Sequence, residues 1–367
     1  VAASKLIVTG DIFRPFRLGQ RWESATWKNV RWLDGIAGTA ARLAGWDVAT
    51  VSWDPALRRS HGNVDMPAIY DALGLPLDRA GWVELLRRPM LPDAIERELL
   101  DLFDADLVVG YEIPDHLLRI LSRAGIAVVD VILHPVRFLD DVVFALRTNR
   151  ADIHALLAQH AVAREAIALQ AGLIRSKAAW MRPPLPLRPG AALVLGQVGD
   201  DRAAIDTATG RNRSLADHAG RLLELCADSS MVLFKPHPYD PAQSDTGITL
   251  RRLQAVQWTN ANFYHLIAQP EIDVVCALNS SGLVEAEYFG KAALWLAPPL
   301  YRFGDTAPAD GGFGDALPQD GAWCNPAFWS AVRGAGPAAV LAAVRPNRLR
   351  RALNADWGFS SIDKVVA

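Results

Sequence analysis

What most limits how this chain can fold is an alternation that runs, stops and restarts. Short runs of consecutive apolar residues alternate with helix-forming stretches. In the first half the strand-like runs are Lys5–Thr9, Trp46–Val51, Asp106–Gly110 and Ile126–Val131, with helices expected over Ile36–Leu43, Ala94–Phe103 and His116–Ala124. Strands apolar at nearly every position are buried on both faces, which marks a parallel sheet covered by helices on both sides. Ala151–Ala179 reads as one long Ala-rich helix. Met181–Gly190 follows, with four prolines in ten residues. Proline fixes φ and has no N–H, so this segment cannot continue a helix or enter a central strand, and it is the expected linker. The alternation then resumes with strands at Ala191–Leu195, Met231–Phe234, Ile272–Ala277 and Ala292–Leu296 and helices at Leu215–Ala227 and Gly282–Phe289. The expected fold class is α/β, with two doubly wound Rossmann-like halves.

Composition narrows the function classes. A chain of 367 residues has room for two domains, and 51% hydrophobic against 21% charged residues lets both bury real cores. Lys and Arg number 38 against 40 Asp and Glu, a net charge of -2 that excludes a strongly basic nucleic-acid binder. Cys226, Cys276 and Cys324 are too few and scattered for a disulfide framework or a zinc knuckle, and are expected in or near the cores of a cytoplasmic protein. No apolar run approaches the ~18 residues of a membrane span, and the N-terminus has no signal-peptide pattern. Val1 stands where a start Met would, so a larger multidomain chain stays open. Trp22, Trp27, Trp32 and Trp82 lie in loop-like contexts, where indole rings stack on sugars or, more ordinarily, close a core.

In doubly wound sheets, ligands bind beyond the carboxyl ends of the strands. Six loops qualify: Gly10-Asp11, Tyr111-Glu112, the segment after Val131, Gln197–Asp201, Lys235–Pro238 and Asn279–Gly282. Lys235-Pro236-His237-Pro238 places an ammonium and an imidazole on a proline-stiffened loop, suited to a phosphate or a developing leaving-group charge. Otherwise it is a turn with a solvated lysine. Asn279-Ser280-Ser281-Gly282 opens a helix, either as an ordinary cap or as an anion site of free N–H groups and hydroxyls. Glu285, one turn on, suits ribose hydroxyls or is a surface glutamate. Asp200 and Asp201 could act as base or nucleophile, bind a metal or cap the next helix. His134, Arg137, Arg147 and Asn149 sit among apolar neighbours, so they either bind an anionic sugar or form an internal ion-pair network with the nearby acids. Glycine-rich dinucleotide and P-loop patterns are absent, as are His-Glu-x-x-His and Gly-x-Ser-x-Gly.

The order of these motifs is informative: a Gln-x-x-x-Asp loop, then Lys-Pro-His-Pro, then Ser-Ser with Glu-Ala-x-x-x-Gly-Lys. It resembles the nucleotide-sugar half of a GT-B glycosyltransferase, and more narrowly the retaining β-Kdo transferases of bacterial capsule and O-antigen assembly, which use CMP-Kdo. The run His134–Asp141 with Arg147-Thr148-Asn149 is similar to that group as well. Lys-x-His-Pro and Ser-Ser also occur in bacterial sialyltransferases, so they mark CMP-sugar use better than Kdo.

The resemblance implies two Rossmann-like domains facing a central cleft: residues 1–185 on the acceptor side, 186–345 on the CMP-sugar side, and 346–367 packing back on the first. Lys235 and His237 would contact the CMP phosphate and assist its departure. Ser280 and Ser281 would hold that phosphate, with Gln197 and Asn279 beside it, and Glu285 would hold the ribose. Asp201, or its neighbour Asp200, would serve as nucleophile in a lipopolysaccharide- or capsule-type transfer. Position 200 departs from the family's glycine and Ala203 from its serine, so the choice of acid stays open. His134, Arg137, Arg147, Asn149, Asp11 and Glu112 would meet the sugars. No metal or other cofactor is expected. The partners are the CMP-sugar donor and a lipid-linked or oligosaccharide glycan acceptor, with no nucleic acid and no transmembrane segment, in the cytoplasm or peripheral at the inner membrane face. The alternatives are another CMP-sugar of sialic type, a UDP-sugar enzyme, or a non-catalytic sugar-nucleotide-binding module.

Overall fold

The computed structural model describes residues 4–24, 27–53, 62–181, 185–198, 201–237, 256–336, 338, 340–342 and 348–353. The chain divides into two compact units. Unit 1 takes Val1–His134, Val143–Val162 and Tyr301–Leu353; unit 2 takes Pro135–Val142 and Ala163–Leu300.

Unit 1 is built on strands β1 (Lys5–Gly10), β4 (Asp47–Thr50), β5 (Leu107–Tyr111), β6 (Ala127–Leu133), β7 (Phe144–Thr148) and β15 (Leu317–Gln319), with a small hairpin, β2 (Pro15–Leu18) and β3 (Arg21–Ser24), after β1. The six-stranded order is β15-β7-β6-β5-β1-β4. The centre is parallel, β1 pairing with β4 and β5, and β5 with β6. Residues of β1 and β5 are almost wholly buried, as their continuous apolar runs require. The sheet is not parallel throughout, because β7 and β15 add antiparallel strands at one edge. Pro318 in β15 is tolerated there because the edge needs no donor from that position. The helix after β1 runs from Trp27 to Leu43, with a π-helical stretch at Asp34–Gly38. Of the four tryptophans placed in loop-like contexts, Trp82 is a core residue and the other three are half-buried.

Unit 2 carries β8 (Ala191–Leu195), β11 (Met231–Lys235), β12 (Val256–Trp258), β13 (Ile272–Ala277) and β14 (Ala292–Trp295), with a two-stranded ribbon of β9 (Ile205–Asp206) and β10 (Arg211–Asn212) beside them. The order β12-β11-β8-β13-β14 is parallel throughout. Every residue of central β8 is buried. The crossover helices Ala219–Asp228 and Ser281–Tyr288 bury Leu222, Leu225, Leu283 and Ala286. Cys276 lies in this core, and all three cysteines are free.

Two expectations are corrected. The long helix over Ala151–Ala179 is two helices, Ala151–Gln159 and Arg164–Ala178. Between them Ala161 bridges to Gln319, and Val162 donates to the Pro318 carbonyl at 2.7 Å, so pairing with β15 interrupts the helix. The units also change over there, and again near residue 301, rather than at 185 and 345. The short helix Arg348–Leu353 belongs to unit 1, with Leu349 and Arg350 buried; residues 354–367 lie outside the described residues.

Candidate functional site

The site is built first from unit 2, where β11, β8 and β13 end side by side. Their registers put Lys235 opposite Leu195, and Cys276 opposite Val194, so three loops emerge at one edge. Gly196 leaves β8 with its N–H on the Lys235 carbonyl at 2.9 Å. A Cβ there would lie 2.9 Å from the His237 nitrogen and 3.2 Å from the Pro236 Cα. Glycine is what lets the Lys-Pro-His loop lie against the end of β8. Gly282 plays the same part for the helix Ser281–Tyr288, since a Cβ would press within 2.6 Å of Leu195.

Lys235 is half-buried, and burial pulls the pKa of its ammonium below the usual lysine range. That ammonium forms no hydrogen bond or ion pair among the described residues. His237 is half-buried two residues on, and Pro238 lies outside the described residues. Gln197 and Asn279 join the neighbouring loops, the Gln197 amide donating to the Asn279 side-chain oxygen at 2.8 Å. Asn279 in turn donates to the Ala203 carbonyl at 2.7 Å and the Pro298 carbonyl at 3.2 Å. The pair therefore braces the loops around the lysine. Ser280 caps the following helix by accepting from the Gly282 N–H at 3.3 Å, which leaves Ser281 exposed in the first turn. The structure thus brings Lys235, His237, Gln197, Asn279, Ser280 and Ser281 to one sheet edge.

The acids are placed differently. Asp200 lies outside the described residues. Asp201 is exposed and caps a short 3-10 turn, Arg202–Ala204, by accepting from the Ala203 N–H at 3.1 Å. Glu285, expected on a ribose, is buried, and one oxygen accepts from both the Arg137 N–H at 2.7 Å and the Tyr264 hydroxyl at 2.8 Å. Burial pushes its pKa up to about 7, against the lowering effect of those two donors. The phenyl ring of Phe138 packs edge-on against Tyr264 and Phe289 at centroid distances of 6.0 and 5.4 Å. Glu285 and this aromatic group hold the segment Pro135–Val142 within unit 2. Tyr264 and Phe138 were not among the candidates. The one local signal was Asn262, which caps the helix Phe263–Ile267 with hydrogen bonds from Tyr264 and His265.

The candidates in unit 1 are mostly engaged within it. Asp130 is fully buried in β6 and lies 2.8 Å from Arg147 Nε, opposite it in β7. Arg147 Nη2 approaches the same oxygen at 2.8 Å but is not aligned for a hydrogen bond. The other Asp130 oxygen accepts from the Ile113 N–H at 2.9 Å. The Arg147 guanidinium lies over Tyr301 and Phe313, 5.2 and 5.5 Å from their ring centroids. Of the two readings of Arg147, the structure contains the internal ion pair. Asn149 bonds the Val128 N–H, the Ser122 hydroxyl and the Ile126 carbonyl, so its amide is fully occupied. Asp11 is buried and caps its own turn by accepting from the N–H groups of Phe13 and Arg14. His134 is buried with its ring edge-on to Phe303. Glu112 has a φ of 49°, a left-handed backbone uncommon for glutamate.

No family model matches the chain, and no curated protein sequence matches it. Several solved structures are similar to it. A KpsC beta Kdo 2,7 transferase from Thermosulfurimonas dismutans is 15% identical with a TM-score of 0.40, covering 82% of each chain. A beta Kdo 2,4 transferase of KpsC from the same organism is 14% identical with a TM-score of 0.34, covering 55% of this chain and 72% of that one. A UDP-GlcNAc 2-epimerase from Neisseria meningitidis is 10% identical with a TM-score of 0.28, covering 80% and 82%. Among the described residues no helix is long and apolar enough to cross a membrane, and no group of three or more His, Cys, Asp or Glu is placed to hold a metal.

Proposed function

We propose that the chain is a retaining GT-B glycosyltransferase that moves β-Kdo from CMP-Kdo to a glycan acceptor of a bacterial surface polysaccharide. The observation that carries this reading is Lys235: a half-buried ammonium with no anionic partner among the described residues, at the strand-end edge where doubly wound sheets bind ligands. A half-buried cation without a partner is costly, and a single phosphate group would supply the missing charge. Ser280, Ser281 and the N-terminus of their helix add N–H and hydroxyl donors for the same phosphate. His237 stands two residues from Lys235 to assist its departure. Cytidine monophosphate carries one phosphate, so lysine and helix donors suffice and no metal is required; turnover is expected to survive EDTA.

In the transfer, an Asp201 or Asp200 carboxylate oxygen bonds to the anomeric carbon as the bond to the CMP phosphate oxygen breaks, and CMP leaves with the electron pair. The acceptor hydroxyl then displaces the aspartate and loses its proton. Retention follows from the two inversions. Recognition of the acceptor falls to the strand ends of unit 1, around Glu112. The protein works in the cytoplasm on a lipid-linked or oligosaccharide acceptor.

The cap made by Asp201 favours a second reading, a non-catalytic module that binds the nucleotide. The test is incubation with CMP-Kdo generated in situ and a panel of short glycans, read by mass spectrometry, alongside titration of CMP and UDP. Kdo-extended products support the transferase. CMP binding with no product under any acceptor supports the module, and tighter binding of UDP than CMP overturns the donor assignment.

A further inference from the structure

The parallel strands of unit 1 lie in the order β6-β5-β1-β4. The chain leaves β1 toward β4 and β5 toward β6, in opposite directions across the sheet. Right-handed crossovers then carry the helix after β1 and the helix after β5, Asp115–Arg123, to opposite faces, and a crevice opens beyond the ends of these two strands. Gly10 and Tyr111 are register partners there, so the next residues out are Asp11 and Glu112. Asp11 is buried and shapes its own turn, accepting from the Phe13 and Arg14 N–H groups at 3.1 and 3.2 Å. Glu112 is half-buried.

The backbone at Glu112 is dictated by its neighbours. Its N–H donates to the Val131 carbonyl at 3.0 Å, and the next N–H, of Ile113, donates to the buried Asp130 carboxylate at 2.9 Å. The fully buried Ile113 side chain folds back over Gly110, where a Cβ would collide with it. In this reversal Glu112 takes a φ of 49°, a conformation that a Cβ disfavours and glycine adopts freely. Among the described residues the other left-handed positions are held by glycines and by Asp310, an aspartate being a residue type whose short polar side chain tolerates them. Glutamate has no such ease. A glycine would make the same turn at less cost to folding, so the carboxylate itself calls for an explanation, and backbone strain of this kind gathers at functional sites.

We propose that Glu112 is the general base of the acceptor step. This role rests on the transferase reading and gives the acceptor proton a recipient. The acceptor hydroxyl passes its proton to a Glu112 carboxylate oxygen while the hydroxyl oxygen bonds to the anomeric carbon. The bond from that carbon to the aspartate breaks, and its electron pair returns to the aspartate carboxylate. A sugar hydroxyl is too weak an acid to ionise near neutral pH, so its attack gains from a carboxylate at hand.

The test compares the full chain with its Glu112→Gln and Glu112→Gly variants, using CMP-Kdo generated in situ and the short glycan that the wild type extends. Glutamine keeps the size of the side chain and loses its basicity. It should lower kcat by about 10²- to 10⁴-fold, the usual worth of a general base, with the KM for the acceptor and the affinity for CMP unchanged. Glu112→Gly should lose as much, recover part of it in added formate, and melt no lower than the wild type, because glycine fits the turn. Wild-type kcat in Glu112→Gln would overturn the role, as would a loss confined to KM, which would make the carboxylate a binding group. A Glu112→Gly variant that melts well below the wild type would also overturn it, since the glutamate would then serve the turn. Absence of transfer by the wild type to every acceptor overturns the transferase reading and this role with it, whereas transfer that Glu112→Gln leaves intact overturns this role alone.

Discussion

The strand ends of the two units handle charge in opposite ways. In unit 1 the Arg147 guanidinium meets Asp130, and Asp11 and Asn149 are occupied by backbone groups around them. In unit 2 the Lys235 ammonium meets nothing among the described residues, while Gln197 and Asn279 brace the loops on either side of it. The first arrangement is complete without a ligand, so its polar groups serve the fold. The second leaves a half-buried cation uncompensated among the described residues, which is the feature on which the proposed phosphate site rests. Polar residues at a strand end therefore separate by whether their partners are internal, not by residue type.

The largest expected effect breaks the comparison on the unit 1 side. Arg147→Ala strands a fully buried carboxylate, which costs about 3–5 kcal/mol. Denaturant unfolding should show that loss, while Arg147→Ala/Asp130→Ala recovers part of it because no buried charge is left alone. If Arg147→Ala left stability unchanged, the ion pair would not be structural and the contrast between the units would fail.

Glu285 sharpens the contrast from within unit 2. Its pKa is raised to about 7, so the native state holds the proton more tightly than the unfolded chain does. Its contribution to stability is therefore fully present below the ordinary glutamate range and declines as pH climbs from there through about 7, a loss on the order of 3 kcal/mol. Glu285→Gln keeps an acceptor for Arg137 N–H and Tyr264 O–H but cannot ionise, so its stability should be flat across that window. Urea midpoints measured on both proteins from about pH 5 to about pH 8 distinguish the curves. Parallel curves would mean that the carboxylate ionises freely.

Lys235→Met should weaken CMP binding by about 10- to 100-fold, the worth of a hydrogen bond to a charged group. It should not lower stability. Burial depresses the lysine pKa, so the wild type carries a cost at neutral pH that fades as pH rises toward the ordinary lysine value, and the variant escapes it. Titration calorimetry with CMP and thermal melting together check this. Lower stability with unchanged CMP affinity would make Lys235 a packing residue, and the two units would then be alike.

Much of the fold was legible because burial on both faces writes itself as consecutive apolar residues. All eight strands read from such runs are strands, from Lys5–Gly10 to Ala292–Trp295. What escaped was set by partners distant in sequence. Nothing local breaks the helix-forming stretch near Ala161; β15, over 150 residues later, does so by taking Val162 as a donor. Phe144–Thr148 carries Arg147 and reads as a polar binding segment, although pairing with Asp130 lets it serve as a strand. The site follows the same rule. Lys235, His237 and Ser280 were placed correctly at strand ends by local pattern. The occupancy of Glu285 depends on Arg137, 148 residues away, and no spacing encodes that.

The smallest expected effect concerns Asp201, which links the two uses of a polar group. As the cap of Arg202–Ala204 its carboxylate has a structural partner, like the acids of unit 1; as the proposed nucleophile it belongs with Lys235. Asparagine accepts the same hydrogen bond, whereas alanine does not. Asp201→Asn should leave the melting temperature unchanged, and Asp201→Ala should cost about 0.5–1 kcal/mol, little because the cap is exposed. Both should abolish Kdo transfer and retain CMP affinity if Asp201 is the nucleophile. Turnover surviving in Asp201→Asn moves the chemistry to Asp200, and the same assay on Asp200→Asn then decides whether either acid reacts. If neither substitution reduces transfer, the carboxylates of this loop are caps alone, and only the lysine distinguishes unit 2 from unit 1.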